Sequence, residues 1–315
     1  MQNIPIEGAI DVHHHILPPE YVRIVGEKAI ARPAPRGLMP KWEVADSLRV
    51  MEAVGIGAAV TSISAPGVWT GDRLLACKAA RASNEFAAGM AAEHPGRFGW
   101  FATLPMPCTD DALAELAHAV DDLACDGVCL MTNYGEHYLG HREFEPLFAE
   151  IDARGLVAYV HPTDCACDGG TLPDVPAAMI EFPHATTRCI VSLLNAGSFQ
   201  KYPRIPFIFS HAGGTLPFLA DRIASMSAYI GRPGWAEQMR RLHFDTASST
   251  GAAAFAGLLQ LAPVGNILLG TDYPFVPEPG VRGTLAGLAA LPLADAQRAA
   301  ILSENSRRLF SRWRR

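Results

Sequence analysis

Three consecutive histidines, His13, His14 and His15, end a short apolar segment near the start of the chain. Residues 9–15 are predicted to form a buried strand that stops before the prolines at positions 18 and 19. Because alternate side chains of a strand share a face, His13 and His15 point in one direction and His14 in the other. Two neutral imidazoles that project together are suitable ligands for zinc or a similar ion. His14 is expected to pack against the fold or to support its neighbours.

Titratable side chains end three later apolar segments in the same way. Any one of them, taken alone, would be interpreted as a hydrogen-bonded loop residue or a helix cap. Together with the first pair they make four histidines and one aspartate, of which three imidazoles and the carboxylate can hold a divalent ion. One imidazole then remains free to transfer protons. The three residues are His161, His211 and Asp272, which lie at the ends of predicted strands 156–161, 206–211 and 266–271.

Eight predicted strands alternate with helical segments, and this alternation would bring the strand ends together. Most strands are continuous apolar runs, as expected when both faces of a parallel sheet are buried. The remaining strands are predicted at 58–64, 98–104, 127–132 and 242–246, and the helices at 42–54, 72–93, 110–123 with Thr109 as N-cap, 144–153, 216–229, 252–261 and 294–313. This order predicts an α/β fold, a (β/α)8 TIM barrel, whose site lies at the C-terminal strand ends.

An open doubly wound sheet is the alternative architecture. It would usually carry a glycine-rich phosphate loop after an early strand, and the sequence has none there. We therefore expect a single domain over residues 1–315. The proline-rich part of segment 17–41 is interpreted as a long loop after the first strand. Loops at this end of a barrel border the active site, so segment 17–41 is a candidate lid.

The composition excludes several classes of protein. The chain has 315 residues, 49% of them hydrophobic and 18% charged, which is typical of a globular protein. A net charge of −6 provides no basic surface for nucleic acid or anionic membranes. No apolar run approaches the roughly 18 residues that cross a bilayer, and the first eight residues do not resemble a secretory signal. The odd number of cysteines, seven, indicates reduced thiols in the cytoplasm.

Five motifs distributed over nearly the whole chain contain these candidate residues. They are IDVHHH (10–15), RFGWFATLPM (97–106), YVHP (159–162), SHAGGTLPF (210–218) and LGTDYPF (269–275). With these motifs the sequence resembles the amidohydrolase superfamily, and more narrowly its decarboxylase branch, which contains aminocarboxymuconate semialdehyde decarboxylase and 6-methylsalicylate decarboxylase. The segments SISAPGV (62–68) and LMTNYG (130–135) are more similar to the 6-methylsalicylate type.

The resemblance implies a distorted (β/α)8 barrel with one divalent ion, zinc or alternatively manganese. It implies that His13, His15, His161 and Asp272 bind this ion, that His211 is the catalytic histidine, and that Asp272 also serves in catalysis. Some relatives carry a glutamate where His13 stands, so the histidine favours the all-histidine members of the branch. Relatives are commonly homodimers. In these, an arginine at the position of Arg222 can reach the neighbouring subunit's substrate carboxylate.

The reaction that the resemblance implies is metal-dependent, non-oxidative decarboxylation of a small aromatic or enoic carboxylic acid. Arg36, in the candidate lid, is either a carboxylate anchor or a solvated side chain, and Phe275 is equally compatible with stacking on an aromatic ring and with packing in the core. Asp245, at the end of the seventh predicted strand, is expected either to orient a metal ligand or to cap a helix. The other histidines, at 94, 118, 137, 141, 184 and 243, are expected to be solvated or structural.

Two other functions remain open from the sequence. A hydrolase with the same ligands would use the ion to activate water against an amide or lactone, with Asp272 or His211 as the base. A non-catalytic metal-binding protein would have a closed coordination shell and no residue for proton transfer. The fifth titratable strand end, His211, argues against the second alternative.

Overall fold

The computed structural model describes residues 7–34, 37–164, 172 and 174–313, which form a parallel sheet surrounded by helices. The sheet has eight strands in the order β1-β2-β3-β4-β7-β8-β9-β10, and β5 and β6 form a separate hairpin. The strands are β1 (Ala9–His15), β2 (Ile56–Ser62), β3 (Phe98–Thr103), β4 (Gly127–Met131), β5 (Asn133–Tyr134), β6 (His137–Tyr138), β7 (Val157–His161), β8 (Phe207–Phe209), β9 (His243–Asp245) and β10 (Ile267–Leu268).

Helices alternate with these strands on the outside of the sheet. The helices are α1 (Pro19–Val25), α2 (Glu27–Ala31), α3 (Val44–Val54), α4 (Arg73–Glu93), α5 (Thr109–Asp121), α6 (Glu145–Arg154), α7 (Glu181–Ala196), α8 (Ser198–Lys201), α9 (Leu216–Tyr229), α10 (Trp235–Arg240), α11 (Ala252–Leu261), α12 (Glu278–Ala290), α13 (Asp295–Ala299) and α14 (Asn305–Leu309). The strand–helix order confirms the predicted (β/α)8 barrel. None of the described helices combines the length and apolar character needed to cross a bilayer.

The barrel interior below the strand ends is filled with side chains, as expected for this architecture. Phe101 and Tyr159 stack face to face inside it, with ring centroids 5.1 Å apart. From the C-terminal segment, Phe310 and Trp313 pack into the same cluster, together with Ile10 and other strand residues. A second, larger cluster joins the outer faces of the strands to the helices. The strand ends therefore rest on a packed core.

The structure differs from the sequence predictions in several segments. The candidate lid, 17–41, contains two helices that were not predicted, α1 and α2, before its proline-rich part; α1 begins at Pro19, because proline is well suited to the first turn of a helix. The N-cap of α5 is Cys108, so the prediction of Thr109 was wrong; the Thr109 hydroxyl donates to the Glu143 carbonyl at 3.1 Å. The predicted helix 294–313 is interrupted by a π-helical turn and ends at Leu309.

The described cysteines are unpaired. They are Cys77, Cys108, Cys125, Cys129 and Cys189. Cys165 and Cys167 lie outside the described residues.

The barrel closes between β1 and the segment that follows β10. The backbone N–H of Val12 donates to Leu269 at 2.9 Å, and the N–H of Asp272 donates to the His13 carbonyl at 2.8 Å. His14 and Tyr273 form an isolated parallel bridge in the same place. These contacts extend β10, which is short, so that the sheet forms a closed ring.

The buried carboxylate of Asp11 reinforces this closure. It accepts hydrogen bonds from the N–H of His13 at 3.1 Å and from the N–H and hydroxyl of Thr271 at 3.0 and 2.5 Å. It also accepts from His14 Nδ1 at 3.1 Å, while His14 Nε2 bonds to the Ser47 hydroxyl at 2.9 Å. The expected supporting role of His14 is confirmed, because its ring connects Asp11 to α3.

We expect Asp11→Ala to lower the free energy of unfolding by about 3 kcal/mol, because it leaves the buried donors of Thr271 and His14 without an acceptor. Urea denaturation followed by circular dichroism measures this loss. The matched control is Asp110→Ala, which removes an exposed aspartate in the first turn of α5 and should cost less than about 1 kcal/mol. Equal denaturation midpoints for the two variants would contradict the importance of Asp11 for barrel closure.

Candidate metal centre and active site

Four side chains from three parts of the barrel converge at the C-terminal strand ends. His13 and His15 come from β1, His161 from the end of β7, and Asp272 from the segment after β10. One potential ligand atom from each lies within 4.8 Å of the others. The Nε2 atoms of His13 and His15 are 2.9 Å apart, and they lie 3.3 and 3.2 Å from Asp272 Oδ1. These four residues form a candidate metal site.

The Nδ1 atom of each of the three histidines has a hydrogen-bond partner. His13 Nδ1 donates to Asp245 Oδ2 at 2.9 Å, and His161 Nδ1 donates to the Pro162 carbonyl at 2.8 Å. His15 Nδ1 is 3.3 Å from the Ser62 carbonyl. These bonds orient the rings so that the Nε2 atom of each points to the common centre, as in histidine sites that bind a metal.

The charges at this centre fit a cation. Burial lowers the pKa of His161 well below its ordinary value and also lowers that of His15, so both rings are neutral ligands. Burial acts in the same direction on His13, but the carboxylates of Asp245 and Asp272 outweigh it and raise its pKa to about 10. Without a metal, His13 therefore holds a proton between the ligands. A divalent ion would displace that proton, as metal binding generally does.

Asp272 is ionised for the same electrostatic reason. Burial tends to raise the pKa of its carboxyl, but the facing histidines, His13 above all, hold that pKa well below its ordinary value. The backbone of Asp272 has a positive φ of 64°, and its N–H donates to the His13 carbonyl.

Gly270 lies close to the site. A Cβ at this position would come within 2.9 Å of the side chains of Asp245 and His13, so only glycine fits here.

His211 lies at the edge of the metal centre, in a turn directly after β8. Its backbone N–H donates to Asp245 Oδ1 at 2.9 Å, and its Nε2 is 3.4 Å from Asp272 Oδ2. The centre of its ring is 5.0 Å from that of His13 and 5.8 Å from that of His161. Its Nδ1 has no hydrogen-bond partner among the described residues. This arrangement places a titratable side chain beside the candidate metal ligands.

Asp245 orients both halves of the site. Its Oδ2 accepts from His13 Nδ1 and from the Tyr159 hydroxyl, the latter at 3.0 Å. Its Oδ1 accepts from the N–H groups of His211 and Ala247, each at 2.9 Å. The sequence left the choice between an orienting and a capping role open because the position of Asp245 at a strand end is compatible with both.

A cavity of about 370 Å³ opens above the metal centre and reaches His161, His211 and Asp272. Its walls are mainly apolar, with Ser64, Ser248 and Ser249 as polar exceptions. Among the residues that the structure describes, no lysine or arginine lines it. The apolar lining comprises Pro33, Ala34, Pro176, Ala178, Met179, Phe182, Pro183, Phe275 and Val276. The cavity therefore suits a flat, largely apolar ligand.

The predicted substrate contacts have different positions. Phe275 lines the cavity, and its ring lies edge-on to His15 with centroids 5.5 Å apart. Arg222 is exposed on α9 and is not among the residues that line the cavity of its own chain. Arg36 lies outside the described residues. Ser248 and Ser249 were not singled out from the sequence, because only the fold brings the turn after β9 to the cavity.

Known proteins match the chain over nearly its whole length. The amidohydrolase family model matches residues 10–312. The 6-methylsalicylic acid decarboxylase of Penicillium expansum is 33% identical over 313 residues, which are 96% of this chain and 96% of that protein. The 2-amino-3-carboxymuconate-6-semialdehyde decarboxylase of Dictyostelium discoideum is 26% identical over 61% of this chain and 55% of its own. A crystal structure of an amidohydrolase II has a TM-score of 0.91 and 29% identity, and covers 96% of this chain and 99% of its own.

These matches confirm the resemblance that was drawn from the motifs. The named relatives are decarboxylases, that is, carboxy-lyases on the amidohydrolase fold. The match to the 6-methylsalicylic acid enzyme is both longer and higher in identity than the match to the muconate semialdehyde enzyme, as the narrower motifs predicted. The hydrolase alternative is not favoured by these relatives.

We expect Asp245→Asn to weaken zinc binding by about 10- to 100-fold, because His13 loses the carboxylate that fixes its tautomer and raises its basicity. Competition with a chromophoric chelator measures the affinity. Tyr159→Phe is the matched control: it removes a different hydrogen bond to the same carboxylate and should reduce the affinity much less. Unchanged zinc affinity in Asp245→Asn would show that this carboxylate does not support the ligand.

Proposed function

Because the chain belongs to the amidohydrolase family, we propose that it is a metal-dependent, non-oxidative decarboxylase of a small aromatic carboxylic acid of the 6-methylsalicylate type. The observation that carries this proposal is the placement of His211, a histidine outside the proposed quartet of ligands, beside that quartet and in the wall of the same largely apolar cavity. A closed, purely structural metal site would need neither the cavity nor a fifth titratable side chain.

In this proposal His13, His15, His161 and Asp272 hold one divalent ion, zinc or alternatively manganese. Three imidazole nitrogens and one carboxylate oxygen are donors that suit zinc. When bound, the ion would supply Lewis-acid polarisation of the substrate. Asp245 keeps His13 in the tautomer that presents Nε2, and Asp272 adds the negative charge that balances the site.

The cavity walls orient the substrate ring. Phe275 and Phe182 lie on the cavity side of His15 and His161, with ring centroids 5.5 and 6.1 Å from those histidines. Both phenylalanine rings can pack edge-on or offset against an aromatic substrate. The apolar walls exclude water around the ring, and the hydroxyls of Ser64, Ser248 and Ser249 are available to a substrate hydroxyl. We therefore propose Phe275 as a substrate contact.

His211 acts as the proton donor in this scheme. Breaking the carbon–carboxylate bond releases carbon dioxide and leaves an electron pair on the ring carbon, which must receive a proton. His211 Nε2 faces Asp272 at 3.4 Å and borders the cavity, so it can donate a proton to that carbon and recover one from solvent. Asp272, bonded to both His13 and His211, orients the donor against the reacting carbon.

The segment 17–41 remains a proposed lid. It carries α1 and α2 and contributes Pro33 and Ala34 to the cavity wall. Arg32 forms an ion pair with Asp164, which follows β7 on the other side of the opening. Arg36 remains a proposed carboxylate anchor in this segment.

The five unpaired cysteines among the described residues support a reducing, cytoplasmic location.

We also propose a homodimer in which α9 lies at the interface. Arg222 stands on an exposed face of α9 with large apolar neighbours: Phe218 is 91% exposed and Tyr229 84%. Exposed apolar groups of this size on one helix are typical of an interaction surface. Because the described cavity wall has no cationic side chain of its own, Arg222 from a partner subunit is the proposed counter-ion for the substrate carboxylate.

We expect His211→Gln to lower the decarboxylation rate by about 100-fold or more, since the proton donor is removed, while metal content stays unchanged. Carbon dioxide release from 6-methylsalicylate and related hydroxybenzoates, together with elemental analysis, measures both quantities. His161→Ala is the comparison variant and should lose metal as well as activity. Normal turnover by His211→Gln would exclude the proposed role, and full metal occupancy of His161→Ala would exclude the proposed ligand set.

For the dimer, we expect Phe218→Glu to weaken self-association at least about tenfold, because a charge would be buried in the interface. Sedimentation velocity over a range of concentrations measures the dissociation constant. Leu74→Glu is the matched control, since Leu74 is 78% exposed but lies on α4. A monomeric unmodified protein, or a Phe218→Glu variant that associates as tightly as the control, would rule out α9 as the interface.

A further inference from the structure

A second cluster of potential metal-ligating side chains lies on the surface, outside the residues that line the cavity. It consists of His137 on β6 and of His141 and Glu143 at the turn that precedes α6. Each residue offers a ligand atom within 4.8 Å of the other two. All three side chains are partly open to solvent, with exposures of 46%, 38% and 50%. The sequence prediction that these histidines are solvated or structural does not explain why they meet.

The backbone that carries the cluster is held in place by the fold. Residues Tyr134 and His137 pair across a two-residue turn that contains Gly135, whose φ is +58°. Between the two histidines Leu139 is buried, and after Glu143 the side chain of Phe144 is fully buried. The N–H of His141 donates to the Tyr138 carbonyl at 2.9 Å. The backbone positions of all three residues are therefore set before any ligand arrives.

The distances between the ligand atoms are close to those that a zinc ion needs. Glu143 Oε2 lies 3.1 Å from His137 Nδ1 and 3.6 Å from His141 Nδ1. Two ligands about 2.05 Å from a tetrahedral ion would be roughly 3.3 Å apart. Two imidazoles and one carboxylate are also the donor set of several zinc sites, in which water completes the shell.

The present ring orientation requires one adjustment. The two imidazoles are stacked with centroids 3.7 Å apart and planes 14° from parallel, so their lone pairs run side by side. A metal lies in the plane of each ring that binds it, and one ring must therefore turn about its Cβ–Cγ bond. The His141 ring is held by the Glu143 N–H, which donates to its Nδ1 at 3.4 Å, and lies edge-on to Phe144, so the more exposed ring of His137 is the one that turns.

We propose that His137, His141 and Glu143 form a second binding site for a divalent transition metal such as zinc. Imidazole ligands select zinc, copper or nickel over magnesium and calcium. The exposed position and the need for a ring rotation make this site weaker than the buried one. A bound ion would join β6 to the turn before α6 and stabilise this surface segment without reaching the cavity.

The experiment is equilibrium dialysis of the full-length protein, already holding its tightly bound metal, against increasing zinc. The unmodified protein should take up one more zinc ion per chain than His137→Gln, His141→Gln or Glu143→Gln, and each variant should bind this ion at least tenfold more weakly. His118→Gln is the matched control. His118 also pairs with a carboxylate, Asp122 at 2.6 Å, but belongs to no such trio among the described residues.

The outcomes are distinct. The site is supported if each of the three cluster variants binds one zinc ion per chain fewer than the unmodified protein, while His118→Gln binds the same number. The circular dichroism of the variants should be unchanged. Equal zinc uptake by the unmodified protein and the cluster variants overturns it, as does the same loss in His118→Gln. The result does not depend on the proposed decarboxylation, because the additional equivalent is counted by difference and no turnover is measured.

Discussion

Hydrogen bonds between the first strand and the segment after the last one are the constraint on which the site depends. Asp272 can face His13 and His15 only because its N–H is held by the His13 carbonyl and because Asp11 binds both donors of Thr271, a residue 260 positions away. The contacts that close the barrel are thus the contacts that assemble the proposed metal ligands. A barrel that opened at this seam would lose the carboxylate from the ligand set, even if the two histidines on β1 stayed in place.

The carboxylate of Asp245 fixes the positions of two histidines of the site relative to each other. It fixes the ring of His13 through Oδ2 and the backbone of His211 through Oδ1. Such a group is buried at a high electrostatic cost unless it is fully hydrogen-bonded, and its four donors meet that condition. A proposed ligand and the proposed proton donor are therefore positioned relative to each other by one rigid anion, which limits how far either can move separately.

Local sequence signals predicted the strands and most major helices well, because their causes are local. Continuous apolar runs indicated all eight barrel strands, and α11 and α9 begin and end at the predicted residues. The helices α7 and α12 were not predicted, and two other failures arose where tertiary contacts override local preference. The segment after β1 folds into two short helices because it packs on α4, and the last predicted helix breaks so that Phe310 and Trp313 can enter the barrel. Neither change can be predicted from the hydrophobic periodicity of the sequence.

By itself, the sequence determined that five titratable side chains end buried strands. Because parallel strands have their carboxyl ends on one side, this is enough to predict a barrel with a cation-binding site at its C-terminal end. It could not determine which nitrogen of each histidine faces the centre, because the Ser62 and Pro162 carbonyls and Asp245 set the tautomers. Nor could it determine that Arg222 stands on the outer face of α9, or that His137, His141 and Glu143 meet on the surface. These facts depend on distances between side chains, which only the packing of the whole chain decides.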